Sequence, residues 1–408
     1  MRILYVVQRY GEKIVGGSEA ACRMYAEQLA NRGHEVHVLT SCAHSYVDWA
    51  DEYDAGDHLI NGVTVHRLRV TEPRSDLLFA PLHNNAMERP RSLPYFEQQR
   101  WARLMGPQLE AMESWLLGTA HSFDVVVFMT YLYTTATTGL PTVAGRVPTI
   151  LQPTAHDEPP AYVGLYHSTF RQPDAFLFFT PEERDVVRDI YQVNPEGPVL
   201  GIGMEMQAIT ADANEFRSAF PSIKNEYLIY VGRLDASKGV GELVRFFQAY
   251  KARHRTDLQL VLAGDGNLEL PDDGAIVVTG FLSEEMKRSA IAGSALLVQP
   301  SYFESFSIVL CEAWQQKRPA LVQGVCEVLR GQARRSRGAI PYEGFAEFEV
   351  ALELMLGDDQ LRQAMGEAGN RYVRENYDWD VVLDEFERAA ELAITNFGQR
   401  RLTTRPSR

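Results

Sequence analysis

Short apolar strands that alternate with helical segments, in two successive series, constrain the fold of this 408-residue chain more than any other feature. The strand-like runs are apolar along nearly their whole length, which is typical of parallel strands covered by helices on both faces. The first series begins at 2–7 and the second at 227–231. A chain of this length is longer than a single hydrophobic core usually supports. The pattern therefore predicts two doubly wound, Rossmann-like α/β domains in tandem.

The ends of the two series predict where the domains meet. We expect an N-terminal domain over 1–200 and a C-terminal domain over 201–376, with the Gly- and Pro-containing segment 197–206 as the hinge. The last residues, 398–408, contain four arginines and no acid, which predicts a disordered basic tail.

Charge limits the partners that this chain can have. The formal net charge is −14 and no domain is basic, which argues against nucleic acid as the main partner. One internal basic stretch, 330–337, could still meet a phosphate or an anionic surface.

Cysteine spacing and the N-terminus bear on localisation. The four cysteines show no zinc or redox spacing, which is typical of a reduced cytosolic protein. Met1 leads directly into a predicted strand without a signal-peptide pattern, and no run approaches the ~18 apolar residues of a membrane span. We expect a cytoplasmic protein, with peripheral contact at the inner membrane face left open.

A glycine-rich turn follows the first predicted strand. Gly16 and Gly17 allow the backbone to approach a ligand, and the helix that starts after them offers N–H groups to an anion. A plain strand-to-helix turn capped by Ser18 is an equally good explanation. The spacing differs from G-x-G-x-x-G, which disfavours a nicotinamide-dependent dehydrogenase.

A second loop places two cations between a predicted strand and a predicted helix. Arg233 and Lys238 lie between Gly232 and Gly239. Isolated cations are usually solvated, but here they stand beside the free N–H groups of a helix start. Together these groups suit a diphosphate, with each charge-assisted hydrogen bond contributing roughly 1.5–3 kcal/mol.

Two carboxylates, Glu304 and Glu312, follow the predicted strand 295–300. The residues between them are largely apolar, which indicates a buried helix rather than the solvated face that is the alternative. If Glu304 lies in the loop ahead of that helix, the pair spans a little over ~10 Å. That separation suits two diols of a polyhydroxylated ligand and is too wide for one metal ion.

Together with further motifs, these residues make the chain resemble the family 4 glycosyltransferases, the retaining, nucleotide-sugar-dependent group with the GT-B fold that includes glycogen synthases and mannosyltransferases. The resemblance covers nearly the whole chain and depends on the order and spacing of its motifs. These motifs are 16–19, 154–158, 232–239, 263–266, 280–282 and the Glu304…Glu312 pair.

The resemblance implies a fold in which two Rossmann-like domains face each other across a cleft. The N-terminal domain would bind the acceptor and the C-terminal domain the nucleotide sugar, while a helix over 377–397 would cross back to the N-terminal domain. Within the N-terminal domain we expect one long helix over 94–119. The segment 76–101 is expected to be irregular and to form the acceptor side of the cleft.

The resemblance also implies roles for individual residues. Arg233 and Lys238 would hold the donor diphosphate and stabilise it as a leaving group. Glu304 would contact hydroxyls of the transferred sugar, and Glu312 would bind the ribose. His156 would face the donor sugar, although a structural histidine is the more common explanation for such a residue. The remaining donor-binding positions would be Gly16, Gly17, Gly232, Gly264, Phe281, Ser305, Phe306, Ser307 and Ile308.

No metal or other cofactor is expected, because enzymes that resemble this chain neutralise the leaving group without one. Residues 378–380 match the D-x-D pattern of metal-dependent transferases, but their position at a helix start predicts that Asp378 is an N-cap. The chain departs from the family at 316–319, Gln-Lys-Arg-Pro, where the family has a small residue, Gly and Thr ahead of Pro. The segment 326–332 is expected to line the nucleotide side of the cleft.

Two other hypotheses stay open. A GT-B-fold sugar-nucleotide epimerase would need acid and base groups at the sugar, which only His156, Asp157 and Glu158 could supply. A catalytically degenerate protein that binds a glycan or a partner would be expected to have lost its charged donor-site residues. The donor nucleotide (UDP or GDP), the acceptor (a glycan, a lipid-linked glycan or a small molecule) and the oligomeric state are not determined by the sequence.

Overall fold

The computed structural model describes residues 1–14, 16–109, 111–206 and 211–403. The chain divides into two compact units. The first unit contains Met1–Gly203 and the helix that starts at Trp379, and the second contains Met204–Asp378. The division lies within the segment 197–206.

The first unit is built on a mainly parallel seven-stranded sheet with the order β3-β4-β2-β1-β5-β6-β7, in which only β3 is antiparallel to its neighbour. Its strands are β1 (Arg2–Val7), β2 (Glu35–Ser41), β3 (Gly56–Ile60), β4 (Val63–Leu68), β5 (Val125–Met129), β6 (Thr149–Gln152) and β7 (Ala175–Phe176). The helices before residue 203 are α1 (Gly17–Asn31), α2 (Asp76–Glu88), α3 (Tyr95–Met105), α4 (Ala111–Thr119), α5 (Thr134–Thr137), α6 (Gly139–Val143), α7 (Tyr166–Thr169) and α8 (Pro181–Tyr191).

The second unit is built on a parallel six-stranded sheet with the order β10-β9-β8-β11-β12-β13. Its strands are β8 (Tyr227–Val231), β9 (Gln259–Ala263), β10 (Ile276–Gly280), β11 (Leu296–Gln299), β12 (Ala320–Gln323) and β13 (Ala339–Tyr342). Its helices are α9 (Ala213–Ala219), α10 (Val240–Arg253), α11 (Glu284–Ala292), α12 (Ile308–Gln315), α13 (Glu327–Ser336), α14 (Phe345–Gly357) and α15 (Asp359–Asn376). The two parallel sheets confirm the predicted doubly wound α/β class.

Two expectations for the first unit are wrong. The single helix predicted over 94–119 is two helices, α3 and α4, because the chain turns at Gly106. This glycine has φ +69°, and an added Cβ would lie 2.6 Å from the indole nitrogen of Trp49. The segment 76–101, expected to be irregular, consists mostly of α2 and α3.

The last helix, α16 (Trp379–Thr403), packs within the first unit. Phe386 is fully buried, with its ring centroid 6.2 Å from that of Tyr5, and Trp379 meets Tyr25 edge-to-face at 5.6 Å. Because α16 continues to Thr403, residues 398–403 are helical and do not form the disordered tail that was predicted. The rest of that tail, 404–408, lies outside the described residues.

A buried carboxylate, Glu183, connects three segments of the first unit. One of its oxygens accepts a hydrogen bond from the N–H of Ala155 at 2.9 Å, and the other accepts from the N–H of Phe179 at 2.7 Å. Its own N–H donates to the Thr180 hydroxyl that caps α8. Burial raises the pKa of Glu183 to about 7, against the opposing effect of the backbone donors.

No helix in the described part of the chain is long and apolar enough to cross a membrane.

We expect Phe386→Ala to lower the free energy of unfolding of the first unit by about 3–5 kcal/mol, because it leaves a cavity between α16 and the sheet. Val381→Ala is the matched control, since Val381 lies in the same helix and is 42% exposed. Urea unfolding monitored by tryptophan fluorescence measures both. A loss below 1 kcal/mol for the Phe386 variant would show that α16 does not stabilise this unit.

The buried Glu183 predicts a pH dependence of stability. Between its ordinary pKa of 4.5 and its folded value of about 7, the folded chain binds more protons at this carboxyl than the unfolded chain does. The stability contributed by Glu183 is therefore complete below pH 4.5 and is lost as the pH rises to 7, by about 3 kcal/mol. We expect the free energy of unfolding of wild type, measured relative to that of Glu183→Gln, to fall by this amount over the window. Measured relative to Glu182→Gln, it should not change in this way. A rise relative to Glu183→Gln as the pH increases would contradict the assignment.

Candidate active site

The predicted donor-site motifs of the second unit all lie at one edge of its sheet. The segments 232–239, 263–266 and 304–308 follow the carboxyl ends of β8, β9 and β11, and Phe281 follows β10. Ligands of parallel α/β sheets bind at this edge, between the loops that follow the strands. The predicted donor-site residues of this unit therefore belong to one group of neighbouring loops.

Two of these loops pack backbone against backbone at glycines. The N–H of Gly232 donates to the carbonyl of Ala263 at 2.9 Å. Gly264 has φ +147°, and an added Cβ there would lie 1.9 Å from the carbonyl oxygen of Gly232. A side chain at position 264 would therefore force the loops after β8 and β9 apart.

The loop after β8 also reaches the end of β11 through a glycine. Gly239 has φ +72°, and an added Cβ there would lie 2.2 Å from the carbonyl oxygen of Pro300. This close approach brings Lys238 next to the carboxylate that follows β11. The ammonium of Lys238 lies 2.9 Å from Oε1 of Glu304, and the two side chains are 28% and 14% exposed.

A buried amide supports the Glu304 side of this pair. The amide nitrogen of Gln299, at the end of β11, lies 3.4 Å from Oε1 of Glu304 and donates to the Ser307 hydroxyl at 3.0 Å. Ser307 adopts the left-handed conformation with φ 71° immediately before α12. Gln299 therefore fixes both the carboxylate and the turn that starts the helix.

The remaining residues of this turn are anchored in the core. Phe306 is 2% exposed and meets Tyr377 edge-to-face with ring centroids 4.9 Å apart. Its carbonyl accepts a hydrogen bond of 2.6 Å from the side chain of Gln332 in α13. Ser305 lies in the same turn, and α12 begins at Ile308, so the N–H groups of the first helical turn point to the same edge as Lys238.

Arg233 lies on the same loop as Lys238. Its Nη1 is 3.4 Å from Oδ2 of Asp235, and its side chain is 48% exposed. The backbone carbonyl of Arg233 accepts a hydrogen bond from the hydroxyl of Tyr230. The guanidinium is thus at the surface of the edge, on a loop held by Asp235 and Tyr230.

Glu312 is paired with a lysine that the sequence motifs do not include. Its Oε1 lies 2.7 Å from the ammonium of Lys287 in α11, and Lys287 also lies 2.9 Å from Glu284. Burial opposes the charge of Lys287, but the carboxylates of Glu312 and Glu284 outweigh it and raise its pKa. Oε2 of Glu312 has no hydrogen-bond partner among the described residues. No local signal marks Lys287, because its partner Glu312 is 25 positions away on another helix.

In the first unit, the turn at Gly16 and Gly17 lies beside a buried ion pair. Nη2 of Arg9 lies 2.6 Å from Oε1 of Glu19, and both side chains are less than 8% exposed. An added Cβ at Gly16 would lie 2.4 Å from the other oxygen of Glu19, so a side chain there would have to displace the Glu19 carboxylate. The helix begins at Gly17 with Gly16 as its N-cap, and Ser18 instead donates to Glu19 at 2.8 Å.

His156 follows β6, also in the first unit. Its Nδ1 is 3.0 Å from Oε1 of Glu158, and the ring is 28% exposed. The neighbouring Ala155 is held by Glu183, and Asp157 accepts a hydrogen bond from the hydroxyl of Tyr162. Glu158 and Glu183 therefore fix the imidazole and its loop within this unit.

The D-x-D segment lies at the start of α16. Asp380 is exposed, and its carboxylate is 3.8 Å from Arg32. Among the residues that the structure describes, no group of three or more His, Cys, Asp or Glu side chains is placed to hold a metal ion. The N-cap role of Asp378 stays a prediction.

Two family descriptions match the two halves of the chain. Residues 16–200 match the glycosyl transferase 4-like domain, and residues 225–353 match the glycosyl transferases group 1. A relative from Methanocaldococcus jannaschii, named as an uncharacterized glycosyltransferase, is 24% identical over 98% of this chain and 100% of its own length.

Solved structures show the same fold. Sucrose-phosphate synthase from Thermosynechococcus elongatus superimposes with a TM-score of 0.69 at 16% identity, over 96% of this chain and 99% of its own. The Anabaena protein HepE in complex with UDP-glucose superimposes with a TM-score of 0.66 at 14% identity, over 96% and 98% of the two chains. The matched domains, together with the two parallel sheets, confirm the resemblance. This chain belongs to the family 4 glycosyltransferases of the GT-B fold and is a transferase enzyme.

Proposed function

We propose that this glycosyltransferase moves a hexose from a UDP- or GDP-linked donor to a hydroxyl acceptor, with retention of configuration and without a metal ion. The observation that carries the proposal is the contact between Lys238 and Glu304, a cation and a carboxylate 2.9 Å apart at the carboxyl edge of a parallel sheet. Arg233, on the same loop, adds a second cation. This grouping suits a donor whose diphosphate and sugar are adjacent.

Sugar transfer requires that the negative charge on the departing diphosphate be stabilised. Arg233 and Lys238 would bind its oxygens, and the first N–H groups of α12 would bind the phosphate next to Ser307. Each charge-assisted hydrogen bond contributes roughly 1.5–3 kcal/mol. The diphosphate would compete with Glu304 for Lys238, which would free the carboxylate to accept hydrogen bonds from sugar hydroxyls.

The ribose would bind Glu312. Lys287 occupies only Oε1 of this carboxylate, so Oε2 is available to accept from the ribose hydroxyls. Phe281 is 64% exposed at the same edge, where its ring could cover the nucleotide. The HepE complex contains UDP-glucose, which makes UDP the first nucleotide to test.

Retention would follow from attack on the face that the nucleotide leaves. The C–O bond to the diphosphate breaks, the acceptor oxygen bonds to the same face of the sugar carbon, and the departing phosphate takes the acceptor proton. His156 would hydrogen-bond the transferred sugar, and the backbone of Gly16 and Gly17 would lie against the donor phosphate and the acceptor. The acceptor would be a glycan, a lipid-linked glycan or a small molecule.

We expect the purified chain to bind one of UDP and GDP with micromolar Kd in metal-free buffer, and to bind ADP and NAD at least tenfold more weakly. Isothermal titration calorimetry measures all four. With the matching sugar nucleotide and an acceptor, proton NMR of the first product should show the anomeric configuration of the donor. A well-folded sample that binds none of the nucleotides would contradict the donor site, and an inverted product would contradict retention.

We expect Glu312→Ala to weaken binding of the preferred nucleoside diphosphate by about 2 kcal/mol, or roughly 30-fold in Kd, because the ribose loses a charged acceptor. Glu285→Ala is the matched control, since this exposed residue lies in α11 beside the Lys287–Glu284 pair. Calorimetric titration of both variants measures the effect. Equal affinity of Glu312→Ala and wild type would show that Glu312 does not bind the ribose.

A further inference from the structure

A basic cavity of about 540 Å³ lies at the amino edge of the second sheet. It is lined by residues that precede β8, β11 and β12 and by two helices, among them Arg217, Lys224, Glu226, Arg318 and Arg362. The donor motifs follow the opposite ends of the same strands. With a rise of about 3.3 Å per residue, the two edges are separated by roughly 15 Å. The cavity is therefore distinct from the donor site.

The charge of this cavity is opposite to that of the chain. Its lining contains three arginines and one lysine against one carboxylate, whereas the whole chain carries a formal charge of −14. Glu226 is already engaged, since it lies 3.3 Å from Nη2 of Arg362. Asp359, which lies beyond this lining, also pairs with Arg362, so the four cations face two carboxylates and leave an excess of positive charge that a bound anion would neutralise.

Arg217 and Arg362 are held in place by the protein. Nη1 of Arg217 donates to the carbonyls of Ile223 and Asn225 at 3.3 and 3.1 Å. Nη1 of Arg362 donates to the carbonyls of Met355 and Leu356 near the end of α14. Its Nη2 pairs with Glu226 and Asp359. These contacts order two guanidinium groups around the cavity before any ligand binds.

Arg318 has no such partner. No hydrogen bond or ion pair of its side chain is found within the described ranges, although its Nε is buried. Burial lowers the pKa of Arg318, and the nearby charge of Arg362 lowers it further, although Tyr227 opposes this effect. The side chain of Lys224 likewise has no acceptor among the residues described. A buried guanidinium donor without an acceptor is unfavourable unless a ligand supplies one.

We propose that this cavity binds a soluble phosphate monoester, with Arg318 as the principal donor and Lys224 and Arg217 as additional cations. The planar fork of an arginine matches two oxygens of a phosphate, and a dianion neutralises more of the excess charge than a carboxylate does. The cavity is larger than inorganic phosphate, so it leaves room for an attached sugar or nucleoside.

The proposed anion site is attached to the helix that carries Glu312. The backbone N–H of Arg318 donates to the carbonyl of Ala313 in α12 at 2.8 Å. This bond fixes the backbone at Arg318 relative to α12.

Glucose 6-phosphate is the probe for this site. Calorimetry is performed on the full chain and on a Lys238→Gln variant, because the donor site could also bind phosphate. We expect one molecule to bind per chain in both proteins, and unphosphorylated glucose not to bind at the cavity. Arg318→Gln should weaken binding at least tenfold and Lys224→Gln two- to fivefold, while the exposed control Arg255→Gln should leave it unchanged.

The exposed position of Lys224 makes its variant safe for folding, so a misfolded Arg318 variant would not prevent the test. The proposal is overturned if the Lys238→Gln protein does not bind the probe, or if its affinity is the same with and without the Arg318 and Lys224 substitutions. Neither result depends on whether the donor is UDP- or GDP-linked, since nucleotide binding is measured separately.

Discussion

In a parallel sheet, all the loops that follow the carboxyl ends of the strands lie at one edge. The structure of the second unit depends on how its loops pack against each other at that edge. Gly264 approaches the carbonyl of Gly232, and Gly239 approaches that of Pro300, at distances that no side chain would allow. These contacts bring the loop after β8 against the loops after β9 and β11. The position of Lys238 beside Glu304, and so the character of the site, follows from this backbone packing.

The site carboxylates are each paired with a lysine from a different element. Lys238 comes from the loop after β8 and Lys287 from α11, whereas Glu304 and Glu312 flank the start of α12. Each lysine places a positive charge within 2.9 Å of its carboxylate, and Lys238 lies on the same loop as Arg233. Within the part of the chain that the structure describes, Arg318 at the opposite edge has no carboxylate partner, and the proposed anion site rests on this observation.

Much of the fold could be predicted because core strands carry a strong signal: β1 and β8 are apolar along their length and almost entirely buried. Prediction from the local apolar pattern failed where a contact between residues distant in the sequence decides where a helix ends. The helix predicted over 94–119 is interrupted at Gly106, where an added Cβ would lie 2.6 Å from the indole nitrogen of Trp49, a residue distant in the sequence. The edge strand β3 is mostly exposed and lacks an apolar pattern, so no period in the sequence marks it.

By itself the sequence determined that this chain has two doubly wound domains, and it identified the loops that carry Arg233, Lys238 and Glu304 and the helix that carries Glu312, because strand burial and helix starts are encoded locally. Only the tertiary structure decided which charges meet. Lys238 and Glu304 are 66 residues apart, and Lys287 and Glu312 are 25 apart, so no local pattern joins them. The basic cavity at Arg318 was likewise invisible in the sequence, because its cations come from α9, α15 and two loops that only the folded sheet brings together.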